Sequence, residues 1–165
     1  MNYRSLGLGS LLFLSACSSQ NIQGVQTSSF AAGDHRPGKL VYAQEPPVGG
    51  PHNPSWQNCG VYQAPVYNEY AVHSLEHGAV WITYGSQVAP ADVAVLEGLA
   101  RGRTHVLVSP LAQPSSGIVL SAWGKQLKVS GVQDDRIGAF LKAYEQGPTT
   151  PERGAPCTGG SSGTA

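Results

Sequence analysis

The sequence predicts an α+β fold, with one mostly antiparallel sheet covered by two helices and a long, ordered, Pro/Gly-rich N-terminal loop ahead of them. Short β-branched and aromatic runs recur after Gly78, as strands require. Two longer segments repeat their apolar residues at helical spacing. Abundant glycine (21) and proline (12), with only 12% charged residues, argue for long connections rather than a helical bundle.

In chain order, Gly38 to Tyr42 reads as a short strand. Glu45 to Pro54 must be irregular, because its prolines lack the donor that a helix or a central strand needs. Ala79 to Tyr84 is a strand. Ala91 to Ala100 is a helix, with Pro90 near its start and Gly102 as its stop. Thr104 to Val108 is the next strand, ended by Ser109-Pro110. Two more lie within Gly117 to Val129, turning at Gly124-Lys125-Gln126. Asp134 to Glu145 is a helix with Ile137, Phe140, Leu141 and Tyr144 on one face. Asp134 and Asp135 open it, where carboxylates suit the positive end of the helix dipole.

The start of the chain carries an export signal. A basic beginning, Met1 to Arg4, precedes the apolar stretch Leu6 to Leu14 and the small residues before Cys17. That stretch falls short of the roughly 20 apolar residues a membrane span needs. Leu14-Ser15-Ala16-Cys17 resembles the bacterial lipobox, in which the cysteine is lipidated and becomes the mature N-terminus. The expected organisation is a lipoprotein signal peptide over 1–16, a lipidated flexible tether over 17–37, a single domain over 38–157 and a disordered tail over 158–165. The implied partner is a membrane, cell or outer, reached through a palmitate-type anchor. Ser18 after the cysteine resembles an outer-membrane address. Ten basic and ten acidic residues, with no basic stripe, give nucleic acid no electrostatic footprint.

Two cysteines remain, Cys59 and Cys157. Outside the cytoplasm such a pair is expected to form a disulfide, and the alternative is thiolate ligation of a metal.

The densest chemistry lies in His73-Ser74-Leu75-Glu76-His77-Gly78. Histidines four apart share a face on a helix, and on a strand as well, so they can offer two imidazoles to one ion. Glu76 supplies a third ligand or a supporting hydrogen bond, and His52 is the distant contributor. The zinc-protease pattern puts glutamate directly after the first histidine, where this chain has Ser74. His35, in the tether, and His105, on a strand, are expected to be structural or exposed. Trp56, Tyr62, Tyr67 and Tyr70 read as a packed loop, and Trp81 and Trp123 as strand residues in the core.

Gly60-Val61-Tyr62, the block Val72 to Val80, Ala122-Trp123-Gly124 and the stretch Pro151-Glu152 through Pro156-Cys157 resemble the bacterial family of domain of unknown function 3105. The likeness runs from about Gly38 to Gly160, and Pro46 to His52 fits it as well. It implies a secreted or membrane-anchored protein and brings no reaction with it. Some relatives carry a methionine after the second strand, suited to copper(I). Leu111 stands there in this chain, whose one methionine is Met1.

Two functions follow as expectations. One is a metal-binding envelope lipoprotein holding zinc or copper through His52, His73, His77 and Glu76. The other is a non-metal structural or protein-interaction module whose histidines lock the Pro-rich loop. Catalysis is the weaker expectation: a hydrolase using a His–Glu pair would lack a nucleophile elbow.

Overall fold

The apolar run after Gly78 forms the centre of a six-stranded sheet in the computed structural model, which describes residues 21–111 and 117–165. The signal peptide expected over 1–16 and the expected lipidation site Cys17 lie outside the described residues. The strands are β1 (Gln26–Thr27), β2 (Gly60–Val61), β3 (Val80–Tyr84), β4 (Val106–Pro110), β5 (Ile118–Ala122) and β6 (Lys125–Val129). Helix α1 (Asn68–Glu76) precedes β3, α2 (Pro90–Gly98) links β3 to β4, and α3 (Arg136–Tyr144) follows β6. The order across the sheet is β1-β6-β5-β3-β4-β2. The β1–β6, β6–β5 and β5–β3 pairs are antiparallel, whereas β3–β4 and β4–β2 are parallel. The parallel pair β3–β4 needs a crossover, and α2 supplies it.

Both faces of the sheet are covered, which is why β3 is buried along its whole length. Val80, Ile82 and Tyr84 point to one side, where Leu96 of α2 and Ile137, Phe140 and Leu141 of α3 pack on them. Trp81 points to the other, joining Leu107 and Trp123 beneath Ala71, Val72 and Leu75 of α1. The expected α+β sandwich is therefore present, with a third helix added. That helix is the His/Glu block itself, whose polar residues hide its apolar face at the sequence level.

Several boundaries move. The hairpin between β5 and β6 turns at Trp123-Gly124, one residue earlier than expected, and Gly124 takes φ +66°. Trp123 therefore sits on the turn and is still buried. Gly38 to Tyr42 forms no strand, and Val41 is 97% exposed. The segment expected as a tether is folded onto the domain from residue 21. Ile22 enters the core, Gln26 and Thr27 pair with Gln126 and Lys125, and Phe30 packs edge-on against Trp123. The expected disordered tail is held as well. Asn58 N–H donates to Ser161 O at 2.7 Å, Gln57 Nε2 to Gly163 O at 3.1 Å, and Ala165 N–H to Pro65 O at 2.7 Å. Backbone carbonyls accept all three of these bonds, and such bonds leave no trace in composition.

Cys59 and Cys157 form a disulfide, with their Cα atoms 5.3 Å apart across a sequence separation of 98. The bond removes both thiols from the set of metal ligands.

Candidate metal centre

Helix α1 begins after Pro65-Val66-Tyr67 and ends where Gly78 takes φ +94°, a conformation that favours glycine. Its apolar stripe is spent on the sheet, so His73, Glu76 and His77 face away from it. They are nonetheless 4%, 0% and 3% exposed, because three other segments close over them. The polar face of the helix is thus a floor with a roof, and the roof also carries ligating side chains.

The first segment is the Pro-rich loop. Gly124 N–H donates to Val48 O at 2.7 Å, Gln126 Nε2 to Pro46 O at 3.0 Å, and Tyr42 Oη to Pro51 O at 2.7 Å. These contacts seat His52, which is fully buried. The second segment is residues 33–36, which bridge to the loop: His52 N–H donates to Asp34 O at 3.0 Å and Arg36 N–H to His52 O at 2.7 Å. It brings His35 over the same spot. The third is the stretch carrying Glu152, whose backbone N–H donates to Glu76 O at 3.0 Å.

Four side chains converge. His35, His52, His73 and Glu76 each offer a donor atom within 4.8 Å of the others. The rings of His35, His52 and His73 form a triangle, each pair of centroids 4.8 Å apart. His52 Nε2 stands 2.9 Å from Glu76 Oε2, and His35 Nε2 stands 3.6 Å from the same oxygen. Glu76 Oε1 accepts the Gly33 N–H at 2.7 Å.

The protonation pattern follows from the partners. His52 Nδ1 lies 2.8 Å from Gly50 O, and His73 Nδ1 lies 2.7 Å from Asn53 O. A carbonyl only accepts, so each Nδ1 carries the proton, and a neutral ring then presents a bare lone pair at Nε2. Fixing a ligating imidazole through its other nitrogen is what supporting hydrogen bonds do in metal sites. Burial, the largest effect, holds His73 well below its ordinary value, at about 4, against the opposing pull of the Asn53 carbonyl. His73 is therefore neutral at pH 7.

His52 Nε2 and Glu76 Oε2 face each other across 2.9 Å. Both are buried and have no hydrogen-bond partner among the described residues. An ionised carboxylate buried against imidazole lone pairs is costly unless a cation lies between them. A proton on His52 would satisfy one such pair. A metal ion would satisfy His35, His52, His73 and Glu76 together.

Of the four residues expected to ligate, the structure brings together His52, His73 and Glu76. His77 belongs instead to a neighbouring group with His73 and Glu152. Its Nδ1 donates to Pro156 O at 2.7 Å, and its Nε2 stands 3.4 Å from Glu152 Oε2. His35 is exposed, as one of its two expected roles has it, and it is also the ligand-type residue that sequence reasoning left out of the site. It sits in a polar stretch without periodicity, and only its pairing with the His52 loop places it. His105 fits the structural expectation, bonded between Thr104 Oγ1 and Ala155 O. Trp56 packs its ring on His73 and His77, with centroids 5.7 and 4.9 Å away.

Residues 35–159 match the family model described as "Protein of unknown function (DUF3105)". The chain belongs to this family. The matched region begins at His35 itself, three residues ahead of the Gly38 boundary expected from sequence, and it spans both ligating groups. No curated protein and no solved structure matches the chain.

Proposed function

We propose that this member of the family is an exported lipoprotein that binds one transition-metal ion, zinc or copper(II), through His35, His52, His73 and Glu76. The observation that carries the reading is the convergence of the His35, His52, His73 and Glu76 donor atoms within 4.8 Å of one another, with His52 Nε2 and Glu76 Oε2 buried and without a hydrogen-bond partner among the described residues. Imidazole and carboxylate ligands suit zinc and copper(II). Copper(I) would want thiolate or thioether ligands, and both described cysteines are tied in a disulfide. Zinc bonds of about 2.0–2.1 Å set tetrahedral donors about 3.3 Å apart. Around the ion His52 Nε2 and Glu76 Oε2, now 2.9 Å apart, would open slightly, and the more distant of the four donor atoms, now within 4.8 Å of one another, would draw in.

The basic start, the apolar stretch and the Leu14-Ser15-Ala16-Cys17 sequence support export and lipid attachment. A disulfide-bonded domain accords with an extracytoplasmic setting. No helix among the described residues is long and apolar enough to cross a membrane, so the anchor in this reading is the lipid on Cys17. Carrying, sensing or buffering the ion are the roles such a site would serve at an envelope surface.

A second reading treats the cluster as a lock for the Pro-rich loop, with a proton between His52 and Glu76. The bond from the loop's His52 N–H to Asp34 O, with Gly33 N–H donating to Glu76 Oε1 beside it, favours it. One experiment separates the two: elemental analysis of protein purified without chelator, beside the His52→Ala/His73→Ala variant. The metal reading expects close to one ion per chain in the parent and almost none in the variant. Equal content in the two proteins would leave the structural reading standing.

A further inference from the structure

His73 belongs to two ligating groups and can serve only one ion. Its Nδ1 donates to Asn53 O at 2.7 Å, which leaves Nε2 as its one lone pair. On one side lie His35, His52 and Glu76, and on the other His77 and Glu152. The rings of His73 and His77 are 4.5 Å apart at their centroids, so the two positions adjoin.

The positions differ in character. The first has four ligands: His52 and Glu76 have fully buried side chains, His73 is buried, and His35 is 38% exposed at the rim. The second has three: two buried imidazoles and the Glu152 carboxylate, whose side chain is 45% exposed. Four protein ligands make a closed site, whereas three leave a place for water or for a ligand brought by another molecule. The second position is also built rather than accidental. His77 Nδ1 is fixed by Pro156 O, and Glu152 by its backbone bond to Glu76 O. The disulfide at Cys157 pins the same segment.

Building on the metal-binding reading above, we propose that His73, His77 and Glu152 form an outer station through which the ion reaches and leaves the buried position, passing across His73. The exposed carboxylate takes the hydrated cation first, and His77 and His73 replace its water. His73 then keeps the ion as Glu76 and His52 take over from Glu152 and His77. No redox change is involved; only ligands exchange. Because His73 is shared, the two positions are never filled together.

The test follows cobalt(II) absorption in the full chain after chelator treatment, with Glu152→Gln and His52→Ala variants. The parent should bind one cobalt ion per chain. Glu152→Gln should reach the same stoichiometry and the same final spectrum, with uptake and chelator-driven release slowed about tenfold or more. His52→Ala should still take up cobalt, more weakly and with an altered spectrum, because the outer station remains. Two ions per chain in the parent would overturn the shared-ligand proposal. So would Glu152→Gln rates within roughly twofold of the parent. A parent that binds no cobalt or zinc at all would instead remove the metal-binding reading on which the proposal rests.

Discussion

At the scale of single residues, His35 and His105 make an internal contrast. His35 Nε2 faces Glu76, whereas both ring nitrogens of His105 are engaged by Thr104 and Ala155. His35→Ala should lower zinc affinity by about tenfold or more, and His105→Ala should leave it unchanged, as read by competition with a chromogenic chelator. Equal effects would mean that the Nε2 directions are not what matters. His73 adds a pH dependence in the metal-free protein. Its value falls from 6.5 in the unfolded chain to about 4 when folded, chiefly through burial. Between those values the unfolded chain holds a proton that the folded protein does not, so stability rises with pH across the window. Acidifying from pH 6.5 to 4 should therefore cost on the order of 2–3 kcal/mol, with the remaining loss from this group levelling off within about a pH unit below 4. Urea denaturation in chelator across that range checks it, and a His73→Asn variant should show a flatter profile.

At the scale of elements, α1 couples the site to the fold. Its apolar stripe grips Trp81 and Leu107, and its polar face supplies His73, Glu76 and His77. Its end at Gly78 is tightly fitted: an added Cβ would come within 2.9 Å of Thr150 Cγ2 and crowd the Gln146 side chain, at φ +94°. Gly78→Ala should destabilise by about 1–3 kcal/mol, seen as a drop in melting temperature, and should weaken metal retention as Gln146 and Glu152 shift. The elements that sequence reveals best are those with strong periodicity. β3, α2 and α3 are where apolar spacing puts them, within a residue or two. The His/Glu block did not announce its helix. It is as long as α2 and α3, but its histidines and glutamate interrupt the apolar spacing, and the burial of its polar face depends on loops distant in sequence. The same physics explains the site. His73, Glu76 and His52 were legible from local spacing and loop context. His35 and Glu152 come from segments whose placement rests on backbone hydrogen bonds, on which side-chain patterns are silent.

At the scale of the whole molecule, the centre sits where both ends of the described chain cross α1. The N-terminal stretch brings His35, and the stretch leading to Cys157 brings Glu152. The disulfide fastens that second stretch across a separation of 98 residues, and its loss should cost about 2–5 kcal/mol. Denaturation of a Cys59→Ala/Cys157→Ala variant measures this cost. The same variant should release bound metal faster, because Pro156 O no longer steadies His77. An unchanged release rate would separate the disulfide from the site. The most direct measurement of the central claim is X-ray absorption at the zinc edge on the chelator-stripped full chain, reloaded with one equivalent of zinc. Metal ligation by His35, His52, His73 and Glu76 predicts a four-coordinate nitrogen/oxygen shell near 2.0–2.1 Å with the outer-shell scattering of about three imidazole rings. A shell of water-like oxygens without imidazole scattering, or zinc that washes out on desalting, would contradict it.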